Sequence, residues 1–326
     1  MSVPCGTWAI VMAAGDGTRL SALTTDEAGT VVPKQFCSLA GGRTLVQEAM
    51  QRARRVVPNE RVCALVARRH EKHWRRLLGT LPAANIIVQP RNCGTALGVL
   101  LGVLRILERD ALARIIFFPS DHFVEDEERL AESVRAAARL LARKCDDLLL
   151  IGIRPEGVDP DLGYILPGKK VRGDAHRVVR FVEKPKPADA SELIAQGALW
   201  NSFIFAAQAR SLLALIRSRM PQIVADLTDV LTGHQRRIAR TYALEELYQR
   251  LPVVDFSHAV VQGAESRLQV QLAPACGWAD LGTPLRVAKT LQRLRVDPAP
   301  KLPETGYRRL VPIDLSRKLQ WSQQAL

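Results

Sequence analysis

Residues 8–24 read WAIVMAAGDGTRLSALT: an apolar run closes on two glycines one residue apart, followed by Thr-Arg-Leu. A short apolar run without charge, ended by glycine, has the pattern of a strand buried on both faces that stops in a tight turn. Such a strand needs neighbours of its own kind. The runs "RVCALVA" (61–67), "NIIVQP" (85–90), "RIIFFPSD" (114–121) and "DLLLIGI" (147–153) supply them, while 44–57, 70–81, 94–112 and 127–145 carry helical spacing. This alternation predicts an α/β fold, a Rossmann-like and mostly parallel sheet flanked by helices on both faces.

The second half reads as a mixed sheet. Residues 177–185 and 202–207 are expected to be strands around a helix at 188–197, and 266–275 alternates like a half-buried strand. Residues 208–250 are expected to be mainly helical, with a closing helix at 281–295. The expected organisation is one domain over 1–290, with halves at about 1–155 and 156–290, then a loosely packed Pro-rich and polar tail over 291–326.

The chain has 326 residues, of which 47% are hydrophobic and 24% charged, so it has material for a large core. No apolar run is long enough to cross a bilayer. The N-terminus lacks a charged segment followed by a long apolar one, so a cytoplasmic location is expected. Six cysteines (5, 37, 63, 93, 145 and 276) are scattered without a C-x-x-C pair, which predicts neither zinc nor disulfides. Lys and Arg outnumber Asp and Glu by 46 to 33, a net charge of +13. The basic clusters at 52–55, 68–76 and 234–240 lie in helix-like segments without interleaved aromatics. They read as solvated helix faces, and no nucleic-acid or membrane partner is expected.

Open α/β sheets bind ligands at the carboxyl ends of their strands, where the strand order reverses. The loop "AAGDGTRL" (13–20) is therefore well placed. It is neither a Walker loop nor a dinucleotide fingerprint, since the third glycine position is Leu20. Gly15 and Gly17 let the backbone approach an anion, and Arg19 adds forked donors suited to phosphate oxygens. A tight turn with a surface arginine explains the same residues. In "VVPKQF" (31–36), Pro33 bars helix at Lys34 and holds that lysine on a constrained loop. Asp121 follows an apolar strand, and Asp280 precedes the last helix; each suits a helix N-cap or, beside substrate phosphates, a Mg²⁺ ligand. His122 has no second histidine at ligand spacing.

Together these pieces resemble the sugar-1-phosphate nucleotidyltransferases, and most of all the mannose-1-phosphate guanylyltransferases, from about residue 8 to 290. "AAGDGTRL" resembles the family's A-G-G-x-G-T-R-L, and "PKQF" (33–36) matches as it stands. "QPRNCGTA" (89–96) resembles P-x-x-R-N-T-A, and "PSDH" (119–122) resembles P-A-D-H. "GYI" (163–165), "VEKP" (182–185), "LWNS" (199–202), "VVDFSHAV" (253–260) and "GWADLGT" (277–283) follow in the family's order.

The resemblance implies the nucleotide-diphospho-sugar transferase, or GT-A-like, fold, with a nucleotide-binding first half and a sugar-binding second half. It implies catalytic roles for Arg19 and Lys34. Nucleotide contacts would come from Ala14, Gly15, Gly17, Thr18, Asn92, Gly94 and Thr95, and sugar contacts from Gly163, Glu183, Lys184, Asn201 and Asp255. Mg²⁺ would be held by Asp121 and Asp280. The implied substrates are a nucleoside triphosphate, GTP, and a sugar 1-phosphate, mannose 1-phosphate; a homo-oligomer is possible. Departures bear on identity: Ala14 for glycine, "LSALT" for L-W-P-L-S, a longer link to "PKQF", residues inserted in "NCGTA", and Phe203 where the family has glycine. They leave open glucose or heptose phosphates, ATP or dTTP, and a non-catalytic sensor of nucleotide sugars.

The implied reaction joins two anions while charge builds on leaving pyrophosphate, so fixed cations and backbone donors carry it and no nucleophilic side chain is required.

Overall fold

The computed structural model describes residues 3–25, 29–141, 146–233 and 237–294. The opening stretch forms β1 (Thr7–Ala13), whose residues alternate between two apolar cores. Trp8 and Ile10 face one side of the sheet, and Ala9, Val11 and Ala13 the other. The expected strands follow as β2 (Val62–Ala67), β3 (Ile86–Gln89) and β4 (Arg114–Pro119). Helices α1 (Ser21–Thr24), α2 (Leu45–Arg54), α3 (Glu71–Leu77) and α4 (Thr95–Leu107) lie between them. A two-residue strand β5 (His122–Phe123), α5 (Glu127–Leu141) and β6 (Leu148–Ile153) complete the first half. The last residues of the helix expected over 127–145 lie outside the described residues.

The second half adds β7 (Tyr164–Arg172), β8 (Ala175–Val182), α6 (Pro187–Ala195) and β9 (Leu199–Gln208). Helices α7 (Ala209–Arg219), α8 (Pro221–Thr232) and α9 (Arg237–Arg250) follow, then β10 (Leu268–Leu272), β11 (Ala279–Asp280) and α10 (Pro284–Arg293). Of these, β7 was not expected: its outer half, "PGKKVR", is polar and exposed, and only Tyr164 and Ile165 are fully buried. Helix α10 runs past residue 290, and Leu291 packs with Leu20, Leu45 and Val287. The first residues assigned to a tail are therefore part of the domain; residues 295–326 lie outside the described residues.

The main sheet runs β3-β2-β1-β4-β9-β6-β10-β8-β7. β1 pairs in parallel with both β2 and β4, so the order reverses there, while β9 is antiparallel to β4 and β6. The carboxyl ends of β1 and β4 thus frame the crevice expected of this topology.

One basic cluster corrects the solvated reading. Arg52 is buried and binds Glu127 at the start of α5 through two bonds of 2.9 and 2.8 Å, because an amphipathic α2 turns that arginine toward α5. Other charges of these clusters are neutralised in pairs, Arg55 with Glu128 and Arg68 with Glu245. Residues 234–236 lie outside the described residues.

Candidate active site

A cleft of about 380 Å³ opens at the switch point and is walled by both halves of the chain. Ala14, Gly15, Arg19, Asn92, Gly94, Thr95 and Asp121 line it from the first half. Gly163, Glu183, Lys184, Asn201, Asp255 and Asp280 line it from the second. Gly17, Thr18 and Lys34 are not among the residues that line it; Lys34 is buried, and Thr18 is exposed.

Gln35, buried, holds the first loop by donating its side-chain amide to Ala13 O at 3.2 Å and Gly15 O at 2.7 Å. Gly17 takes φ 65°, and a β-carbon there would lie 3.0 Å from Lys34 N, so any larger residue is strained where the two loops touch. The expectation that Pro33 bars helix at Lys34 is corrected: after extended Pro33, residues Lys34–Phe36 make one 3₁₀ turn, because a proline preceding the first helical residue removes no hydrogen bond that the turn needs. The Arg19 side chain is 58% exposed and lies 3.9 Å from Asp161, across the cleft mouth.

Lys34 is 8% exposed along its side chain, and its ammonium sits 2.9 Å from Asp121 Oδ2 and 3.4 Å from Leu281 O. Burial pushes the Asp121 pKa up, but the Lys34 charge and hydrogen bond, with the neighbouring His122 and a backbone hydrogen bond, together outweigh it and hold the carboxyl at about 2. Asp280 is not a helix cap; Thr283 caps α10 by accepting from Arg286 N–H at 3.4 Å. Asp280 instead lies in β11, paired with β5 so that Asp280 stands opposite His122. This two-residue ribbon carries the second carboxylate to the first.

Between them, His122 Nε2 lies 3.8 Å from Asp121 Oδ1 and 3.7 Å from Asp280 Oδ1. Burial lowers the His122 pKa, against the partial opposition of both carboxylates. Trp278 Nε1–H donates to His122 Nδ1 at 3.3 Å, so the neutral ring carries its proton on Nε2. His122 therefore shows the carboxylates an N–H, not a lone pair. The far oxygen of Asp280 is held by Arg286, which also binds Asp159 and lies 3.5 Å from Asp161.

On the opposite wall, the segments at 92–96 and 253–256 are zipped together. Ala96 N–H donates to Val254 O at 3.0 Å, Val254 N–H to Cys93 O at 3.0 Å, and Phe256 N–H to Thr95 Oγ1 at 2.7 Å. Gly94, at φ 86°, presses so close to Val254 that any β-carbon would collide with its backbone. Asn92 ties this wall to the first loop, donating to Asp16 Oδ2 at 3.1 Å. Glu183 lies beside Gly163, with Lys184 3.6 Å away. Burial, then the nearby Asp255 charge, raises the Glu183 pKa to about 7 despite Lys184, and its Oε2 is buried without a hydrogen-bond partner.

Residue spacing missed several of these side chains. Arg286 and Asp161 carry no motif signal. Trp278 lies within "GWADLGT" (277–283), whose spacing gives it no role of its own. Gln89 ends an expected strand, yet it lines the cleft with a buried amide nitrogen that has no partner.

Residues 8–294 match the family model described as nucleotidyl transferase. The chain is 29% identical over 282 residues to the xanthan biosynthesis protein XanB of Xanthomonas campestris pv. campestris, covering 84% of this chain and 57% of that protein. It is also 29% identical over 285 residues to a mannose-1-phosphate guanylyltransferase of Sinorhizobium fredii, covering 84% and 52%. The chain thus spans just over half the length of these curated relatives. A solved structure from Thermus thermophilus, described as a mannose-1-phosphate geranyltransferase, superposes with a TM-score of 0.73 at 31% identity, covering 85% of this chain and 76% of that one. The chain belongs to the nucleotidyl transferase family and stands in it with the sugar-1-phosphate nucleotidyltransferases.

Proposed function

We propose that the protein transfers a guanylyl group from GTP to mannose 1-phosphate, giving a nucleotide sugar and pyrophosphate. The observation that carries this reading is the convergence of Arg19, the Lys34–Asp121 pair and Asp280 at the carboxyl ends of β1 and β4. The guanylyltransferase name belongs to relatives such as the Sinorhizobium protein and supports the choice of substrates.

In this reading a phosphate oxygen of the sugar 1-phosphate bonds to the α-phosphorus, and the bond to the β-phosphate oxygen breaks. Arg19 and the N–H groups of the first loop would bind the triphosphate, and Lys34, through Asp121, would fix the charge beside it. Glu183 and Asp255 would accept from sugar hydroxyls, with Lys184 near the sugar phosphate. Gln89, a buried donor in the nucleotide half, suits a base with a ring carbonyl, as in guanine, over adenine.

Asp121 and Asp280 fit a Mg²⁺ ion. Each offers one hard carboxylate oxygen turned toward the neutral His122 N–H, and substrate phosphates would complete the shell. Among the described residues no cluster of three or more His, Cys, Asp or Glu side chains is arranged to hold a metal by itself. When bound there, the ion would offset phosphate charge as pyrophosphate departs. Among the described residues no helix is long and apolar enough to cross a membrane.

The test is pyrophosphate release from GTP, ATP, dTTP or UTP with mannose, glucose or heptose 1-phosphate, with and without Mg²⁺. Highest turnover with GTP, mannose 1-phosphate and Mg²⁺ supports the proposal. Preference for another pair reassigns the substrates, and binding without turnover favours a sensor.

A further inference from the structure

Among the described residues, the non-glycine positions with positive φ are Lys184 at 48° and Phe203 at 56°, and both line the cleft. The left-handed region crowds a β-carbon, so such a conformation persists only where neighbouring structure holds it. At Phe203 those restraints are specific. Its N–H donates to Asn201 Oδ1 at 3.1 Å. Ser202 Oγ donates to Ile151 O at 2.6 Å and accepts from Ile204 N–H at 3.1 Å. The β6–β9 register shifts here, between Leu150 and Gly152.

The ring is equally fixed. It meets Phe205 edge-on at 5.7 Å and Phe256 edge-on at 6.1 Å. Those two are stacked at 5.0 Å, with Phe117 stacked on Phe205 at 4.8 Å. Phe203 is thus the cleft end of an aromatic column rooted in the core. Glycine would take this φ without crowding; what phenylalanine adds is a rigid apolar side chain in a cleft that Asn201, Gly163 and Glu183 also line.

We infer that Phe203 is a specificity-determining wall of the sugar subsite, a surface that accepts the apolar face of a hexose ring and excludes ring substituents larger than hydroxyl. A pyranose has polar hydroxyls around an apolar C–H face. Glu183, Asn201 and Asp255 meet the first kind of surface, and a phenyl ring without donors or acceptors meets the second. This inference deepens the sugar-1-phosphate reading and rests on it.

The experiment is calorimetric titration of the full chain, as wild type, Phe203→Gly, Phe203→Ala and Phe203→Leu, with mannose 1-phosphate, glucose 1-phosphate and their 2-acetamido and 6-acetamido analogues. GTP affinity serves as the control. Phe203→Gly is expected to cut the preference for plain hexose over the best acetamido analogue by about tenfold or more while GTP affinity holds within about twofold, and Phe203→Leu to keep most of that preference. If Phe203→Gly does not fold, Phe203→Ala carries the same comparison. A preference unchanged within about twofold in a folded variant overturns the role of Phe203. A wild type that binds GTP but none of the sugar phosphates overturns the sugar-1-phosphate reading, and the wall with it. Binding without turnover leaves the Phe203 comparison readable in the heats.

Discussion

Lys34 and Asp121, 87 positions apart in the chain, form an ion pair at 2.9 Å that joins a buried lysine to a carboxylate of the cleft wall. The lysine is buried and the carboxylate turns its second oxygen toward His122, so the pair orients a charged group at the carboxyl end of β4. Lys34→Met keeps the bulk and removes the charge. It is expected to lower kcat by about a hundred- to thousandfold, the usual cost of losing one preorganised electrostatic partner. The same substitution has a stability signature. Asp121 is ordinarily near 3.8 and is held at about 2 in the folded protein, so its contribution is present above the ordinary value and is lost as pH falls from 3.8 toward 2. Acid-unfolding curves of the wild type should show this limb, and Lys34→Met should lack it.

Glu183 titrates in the opposite sense. Its folded pKa of about 7 lies above the ordinary 4.5, so the folded state holds a proton that the unfolded chain has released. Stability from this group is full below pH 4.5 and is lost as pH rises through 7. Thermal midpoints measured from pH 4.5 to 8 should fall less steeply in Glu183→Gln than in the wild type. If the carboxylate accepts from sugar hydroxyls, kcat/KM for the sugar phosphate should also rise through pH 7 in the wild type, and Glu183→Gln should lose that rise.

Arg286 holds Asp280 and Asp159 with Asp161 nearby, and its side chain is 15% exposed. Its removal leaves three carboxylates facing one another. Arg286→Ala is expected to destabilise the fold by about 3 kcal/mol, as when one partner of a largely buried pair is deleted. Urea unfolding measures this, and Arg286→Lys should recover only part of the loss because an ammonium cannot fork between two carboxylates.

Gly94→Ala tests the zipped wall. The added methyl meets the Val254 backbone, and φ 86° disfavours alanine by itself. Affinities for triphosphate and for sugar phosphate should fall together, since Thr95 and Asp255 sit on the two strands of the same zipper. A variant that weakens one substrate alone would show that the two segments move independently.

Much of this architecture was legible in order of appearance along the chain. Buried parallel strands are apolar throughout, so β1, β2, β3, β4 and β6 announced themselves, and the glycine turn after β1 located the cleft's rim. Strand β7 did not, because its outer half is exposed and polar and contributes little periodicity. Arg52 misled for a related reason: an arginine in a basic run looks solvated until Glu127 is seen to face it. The 3₁₀ turn at Lys34 runs against the reading that Pro33 bars helix there, and the capping of α10 by Thr283 rather than Asp280 is a local choice that spacing left open.

Residue order by itself determined the α/β class, the carboxyl-end loops and the motif residues, since each is written in short runs of neighbouring side chains and their periodicity. Only the tertiary structure decided that the β5–β11 ribbon sets Asp280 against His122, that Trp278 fixes the histidine's proton, and that Arg286 gathers three acids. It also decided that Phe203 bends into the cleft on an aromatic column. Those facts depend on contacts between segments far apart in the chain. Their energies come from charge, burial and packing after the chain closes, and no local pattern encodes them.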